Sequence, residues 1–199
     1  MTFKIAMNKN RLEAFSDGVI AIIITIMVLG LKVPHNPTWQ SYVEAYPIFL
    51  SYALSFVFVG LYWSSHHHLF HTAKKVDNKV LWVNMIGLFW LSLIPFTTAS
   101  MGENSFASVT VTVYAAVLIC VLISYIILAN QLCRLHGAGS EFSKAYNGHF
   151  KSYLTIALNA MAGIISLIGF PKIAFLLMGL TSLMWFIPNH KFGSSKTEK

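Results

Sequence analysis

The chain has 199 residues, 56% of them hydrophobic and only 11% charged, with a mean hydropathy of +0.63; soluble domains carry about a quarter charged residues, so this composition is that of an integral membrane protein. The net charge of +7, from 14 Lys and Arg against 7 Asp and Glu, does not indicate a nucleic-acid partner, because the basic residues fall in short gaps between apolar runs instead of on one soluble face. Few acidic residues, no nucleophile elbow and no glycine-rich phosphate loop leave little from which to build an enzyme.

Hydropathy predicts an all-α, polytopic membrane fold of six transmembrane helices, at approximately 11–33, 44–72, 77–101, 106–133, 148–169 and 171–188, forming one membrane domain over 1–199. The tails and loops are too short and polar to add a soluble domain. In the first helix the unbroken apolar run, 18–31, falls short of the ~20 residues that a span requires. Lys32 and Pro34 oppose extension forward, so the helix must run back through Phe15, Ser16 and Asp17, bringing a carboxylate to the membrane boundary. Glu13 and Asp17 precede the apolar run and no small-residue cleavage site follows it, so no cleavable signal peptide is expected.

Two stripes run along this first helix. Ala14, Gly18, Ala21 and Thr25 share a face whose small side chains permit close helix approach. Ile22, Ile26, Leu29 and Val33 form a bulky stripe beside it, extended by Arg11 and Phe15. That stripe either meets lipid or ordinary core, or is carried by symmetry copies to a central axis, where rings of branched side chains act as a hydrophobic gate by dewetting. Asp17 gains from the helix dipole, but Glu13 four residues earlier repels it. A cationic or donor partner on another helix is therefore expected, and the histidines of the second helix are the candidates.

The second helix ends in WSSHHHLFH, which carries His66, His67, His68 and His71. His67 and His71 are i, i+4 neighbours that could ligate zinc, but no HExxH carboxylate and no cysteine accompanies them, so no metal is expected. An ordinary histidine titrates near pH ~6.5, which leaves pH sensing open. The alternative is a structural network in which one or two imidazoles hydrogen-bond Asp17 or Ser16 across helices, with Trp63, Asp77, Trp82 and Asn84 in the same layer. The facing ends of the second and third helices, SSHHHLFHTAKKVDNK, are expected to project beyond the hydrocarbon as helix. Thr110, Thr112 and Asn159 are read as hydrogen bonds between packed helices, Cys120 and Cys133 as too far apart along one helix to form a disulfide, and Phe170-Pro171 as the break between the last two helices.

Six spans place Lys4, Lys9, Arg11, Lys74, Lys75, Lys79, Arg134, Lys144, Lys151, Lys191, Lys196 and Lys199 on one side, with only Lys32 and Lys172 opposite. The positive-inside rule then puts both termini in the cytoplasm. On residues alone, a proton-coupled secondary transporter that uses Asp17 and the histidines as a relay competes with a channel, and a non-conducting membrane scaffold is a third reading.

Four motifs occur in order: R-x-x-x-F-S-D from Arg11, Phe15, Ser16 and Asp17; W-x-x-H-H-x-L-F at 63–70; D-x-K-V-L-W-x-N at 77–84; and L-I-P-F-T-T-A at 93–99. Together they resemble the transmembrane protein 175 family of potassium channels. The resemblance implies a potassium-permeable cation channel of the cell membrane without the TVGYG carbonyl filter, and no TVGYG occurs in the chain. With one six-helix repeat, it implies a homotetramer whose first helices line the pore, with Ile22 as the narrowest ring and Thr25, Ile26 and Leu29 as further pore positions. Arg11, Ser16 and Asp17, with His66 or His67, would brace the first helix. Potassium ions are the implied permeant species, and no cofactor is implied. His68 and His71 stand where the family implies arginines, so altered pH sensitivity is expected.

Overall fold

The computed structural model describes residues 8–146 and 148–186, and among these every regular element is helical. The helices are α1 (Lys9–Val28), α2 (Trp39–Glu44), α3 (Tyr46–Thr72), α4 (Asn78–Ser92), α5 (Ile94–Glu103), α6 (Ser108–His136), α7 (Glu141–Tyr146), α8 (Phe150–Leu167) and α9 (Pro171–Leu183), followed by a 3-10 turn, Met184–Phe186. Four stretches are long and apolar enough to cross a membrane: Tyr46–Thr72, Asn78–Glu103, Ser108–His136 and Glu141–Leu167. The rod Pro171–Phe186 is apolar but shorter, and α1 has the length but carries Arg11, Glu13 and Asp17. Residues 187 and 188 of the sixth predicted helix, with Lys4, Lys191, Lys196 and Lys199, lie outside the described residues.

Boundaries depart from the sequence expectation where backbone chemistry intervenes. The first helix stops at Val28, five residues before position 33. The N–H groups of Leu29, Gly30 and Leu31 turn to the carbonyls of Ile26, Met27 and Val28 at 3.0, 3.2 and 3.0 Å, a tightened i to i−3 pattern that ends the helix. Val33 is therefore off the stripe. The third predicted helix is two rods that meet at Leu93, because Pro95 has no N–H to donate to the carbonyl of Leu91. Between the facing helix ends expected to project within 64–79, the chain is not helical at 73–77: α3 ends at Thr72, and Asp77 caps α4 by accepting the Val80 N–H at 2.8 Å.

Helix α6 is the centre of the packing, touching α4, α5, α7, α8 and α9 through buried residues such as Tyr114, Leu118, Leu128 and Leu132. Hydrophobicity does not drive helices together inside lipid, so close packing and interhelical hydrogen bonds must do so. Ser55 of α3 bonds Thr98 of α5 at 2.6 Å and the Tyr114 hydroxyl of α6 at 2.9 Å. Gly102 lets α5 lie against α3: a Cβ there would stand 2.6 Å from Ser51 Oγ and 2.8 Å from Ile48 Cα. Helix α8 is tied to α6 by Ser166 donating to the Ser108 carbonyl at 2.8 Å and Thr112 to that of Gly163 at 3.3 Å. Of the three residues expected to bond between helices, only Thr112 does so. Thr110 donates to the Ala107 carbonyl and Asn159 to that of Thr155, both local. Cys120 is a free thiol.

Candidate pore-lining helix and its bracing network

Helix α1 has two unlike sides. Leu12, Ser16, Ile20, Ile23 and Met27 are buried where the helix packs on α3, α4 and α5. Phe15, Ile22, Ile26 and Leu29 are exposed large apolar residues, Ile22 at 58% and Leu29 at 79%. Ala14, Gly18, Ala21 and Thr25 are exposed as well. The small-residue stripe therefore does not pack against a helix of its own chain. The chain packs through positions 12, 16, 20, 23 and 27, on the opposite side of the helix, and both predicted stripes share the outward side. A Cβ on Gly18 would meet nothing within 4 Å. Thr25 Oγ1 donates to the Ile22 carbonyl at 2.9 Å, which ties that hydroxyl to the turn that carries Ile22.

The inward side is locked by polar groups. Ser16, fully buried, donates through Oγ to the Leu12 carbonyl at 2.9 Å and accepts from Asn84 Nδ2 at 2.9 Å. With its amide nitrogen committed to Ser16, Asn84 turns Oδ1 toward His66 Nε2, 2.8 Å away. The hydrogen-bond chain thereby assigns the proton to Nε2, and donation runs one way, from His66 through Asn84 and Ser16 to the backbone. The His66 ring lies between Tyr62 and Phe70, with centroids 5.9 and 4.6 Å away. Its Nδ1 is buried and has no hydrogen-bond partner among the described residues.

At the rim of this layer, Trp63 Nε1–H donates to Asp17 Oδ1 at 3.0 Å. The donor that Asp17 requires is thus an indole, and the expected imidazole contact to Asp17 does not form. His67 is directed at Glu13 instead, with Nδ1 3.5 Å from Oε1, and its ring stacks on Trp63 at 5.7 Å and on His71 at 6.0 Å. Lys9 donates to the Ala73 carbonyl at 3.1 Å and lies 4.0 Å from Glu13. In the sequence, Glu13 reads as a charge that precedes the apolar run and repels Asp17. Its spacing from Lys9 was the signal for a second role.

The structure therefore brings together Ser16, Asp17, Trp63, His66, His67 and Asn84. Asp77 is outside the layer because its carboxylate caps α4, and Trp82 is outside it because its side chain faces outward, 67% exposed. Arg11 is exposed and Phe15 half-exposed. Among the described residues, no group of three or more His, Cys, Asp or Glu could hold a metal.

A family model described as the endosomal/lysosomal potassium channel TMEM175 matches residues 11–95, the stretch that holds α1 from Arg11 onward together with Trp63, His66, His67 and Asn84. A protein named as a potassium channel from Chryseobacterium sp. (strain P1-3) is 46% identical over 192 residues, covering 96% of this chain and 100% of its own length. Another so named, from Streptomyces collinus (strain DSM 40733 / Tue 365), is 31% identical over 123 residues, 58% of this chain and 60% of that protein. The crystal structure of a lysosomal potassium-selective channel TMEM175 homolog from Chamaesiphon minutus matches with a TM-score of 0.70 at 26% identity, over 90% of this chain and 98% of that one. These relatives are channels and not enzymes. The chain is a multi-pass protein of the cell membrane and belongs to the TMEM175 family.

Proposed function

We propose that this protein is a potassium-permeable cation channel, a homotetramer of one six-span domain over 1–199 with both termini in the cytoplasm. Its α1 helices line a central pore that works without a TVGYG filter. The observation that carries this reading is the division of α1: an outward side of Ile22, Ile26 and Leu29 with no partner in its own chain, opposite a side held by buried hydrogen bonds. The relatives named as potassium channels support it.

In such a pore, Ile22 forms the narrowest ring and Ile26 and Leu29 form further rings. An apolar constriction empties of water when narrow and conducts when it widens and wets. Potassium sheds water at lower cost than sodium and so crosses the ring more readily. Thr25 donates its own proton to the backbone, which leaves its oxygen as an acceptor for an ion that has lost part of its hydration. Arg11 stands with Phe15 at the mouth. The Ser16–Asn84–His66 chain, the Asp17–Trp63 bond and His67 beside Glu13 fix the rotation of α1, and hence which residues face the axis. Asp77 and Trp82 take no part in this bracing.

A proton relay through Asp17 is disfavoured by its partner, because an indole N–H donates a hydrogen bond but has no lone pair with which to pass a proton on. Light scattering on the purified protein and potassium efflux from liposomes test the proposal together. A tetramer with potassium efflux faster than sodium efflux supports it. A monomer, or potassium flux that requires a proton gradient, contradicts it.

A further inference from the structure

Between α3, α6, α8 and α9 lies a recess to which α1 contributes no residue. It leaves about 30 Å³ for the centres of water-sized groups, and its whole empty volume, open mouth included, is about 450 Å³. Apolar side chains such as Phe58 and Leu122 form much of the wall, and no charged side chain lines it. Asn159, 1% exposed, is the exception in need of explanation. Its amide nitrogen donates to the Thr155 carbonyl at 2.8 Å, while Oδ1 is buried without a hydrogen-bond partner among the described residues.

The neighbouring donors are committed elsewhere. Trp185 Nε1 donates to Thr155 Oγ1 at 3.0 Å, and the Tyr125 hydroxyl to the Ser65 carbonyl at 3.4 Å. Thr181 and Ser182 both donate to the Met178 carbonyl, at 2.8 and 3.0 Å. The Tyr62 hydroxyl lies toward Gly87 of α4. A buried acceptor with no internal donor gains from a ligand that supplies one. The uncharged wall selects a neutral ligand, since a charged head would be buried without a counterion.

We propose that this recess is a binding site for a short-chain alcohol. The hydroxyl donates to Asn159 Oδ1 in the recess, which has room for about two water-sized groups, and the alkyl tail lies in the mouth against Phe58 and Leu122. The site belongs to each subunit and does not depend on where the pore runs.

Photolabelling with 3-azibutanol, a short alcohol that carries a photoreactive diazirine, followed by peptide mass mapping of the whole reconstituted protein, tests the site. Labelling that saturates, is displaced by 1-propanol and concentrates on the recess residues of α3, α6, α8 and α9 is expected. Asn159→Leu should weaken it about fivefold, the usual worth of one neutral hydrogen bond. Asn159→Leu also removes the bond to Thr155, so Leu122→Trp, which fills the mouth and leaves Asn159 in place, must also lose labelling; both variants must melt and elute as the parent does. Labelling that never saturates, spreads evenly over lipid-facing side chains, keeps its parent affinity in Asn159→Leu or persists in Leu122→Trp would overturn the assignment.

Discussion

The indole of Trp63 holds the carboxylate of Asp17 across 3.0 Å, so the charge at the mouth of the isoleucine run is met by a neutral donor from α3. Trp63→Phe keeps an aromatic ring to stack on His67 but removes the N–H. A hydrogen bond to a charged group contributes about 1.5–3 kcal/mol when shielded. Trp63 is 43% exposed, so a loss of about 1 kcal/mol in thermal unfolding is expected, after discount for solvent. In a double-mutant cycle with Asp17→Ala, the two losses should not add, because they break one bond.

Asn84 is the centre of the buried chain, and its removal should be the most damaging change in the layer. Asn84→Leu leaves His66 Nε2 buried with no acceptor and takes a donor from Ser16. We expect destabilisation of about 2–3 kcal/mol, read as a lower midpoint in thermal or denaturant unfolding. Trp82→Phe, on an outward side chain two residues away, should shift the same midpoint by less than about 0.5 kcal/mol.

The two lessons of the sequence differ in kind. Periodicity and charge made the helices visible, and they exposed the misplaced carboxylate in α1, because a span that must reach back through Asp17 follows from length alone. Pattern could not say which stripe of α1 would be buried. The small stripe through Gly18 looks like a packing seam, but Ser16 is drawn inward by Asn84, a residue 68 positions away, and that bond turns Gly18 outward. Asp17 needed a donor, and histidines were the chemically obvious choice. Trp63 won because it occupies the turn of α3 beside Asp17, whereas His66 lies one position round the helix and meets Asn84. Asp77 looked like a network residue but caps a helix, a use that no alternation of polar and apolar residues reveals.

Two glycines separate packing within the subunit from the proposed packing between subunits. Gly102→Ala would press a methyl group onto Ser51 Oγ and the Ile48 backbone, and an overpacked contact of this kind costs about 1–3 kcal/mol. Gly18 has open space within its own chain. Gly18→Leu should therefore leave the subunit folded, with helical circular dichroism unchanged, and disturb assembly instead. Light scattering should show loss of the proposed tetramer.

The central claim is that Ile22 is the constriction through which ions pass. Single-channel recording in planar bilayers under a potassium/sodium gradient, comparing the parent chain with Ile22→Ala, tests it most directly. The account predicts discrete current steps that reverse toward the potassium potential in the parent, and larger conductance with weaker selectivity in the variant. Silence in both proteins with reconstitution verified, or conduction that Ile22→Ala leaves unchanged in size and selectivity, would contradict it.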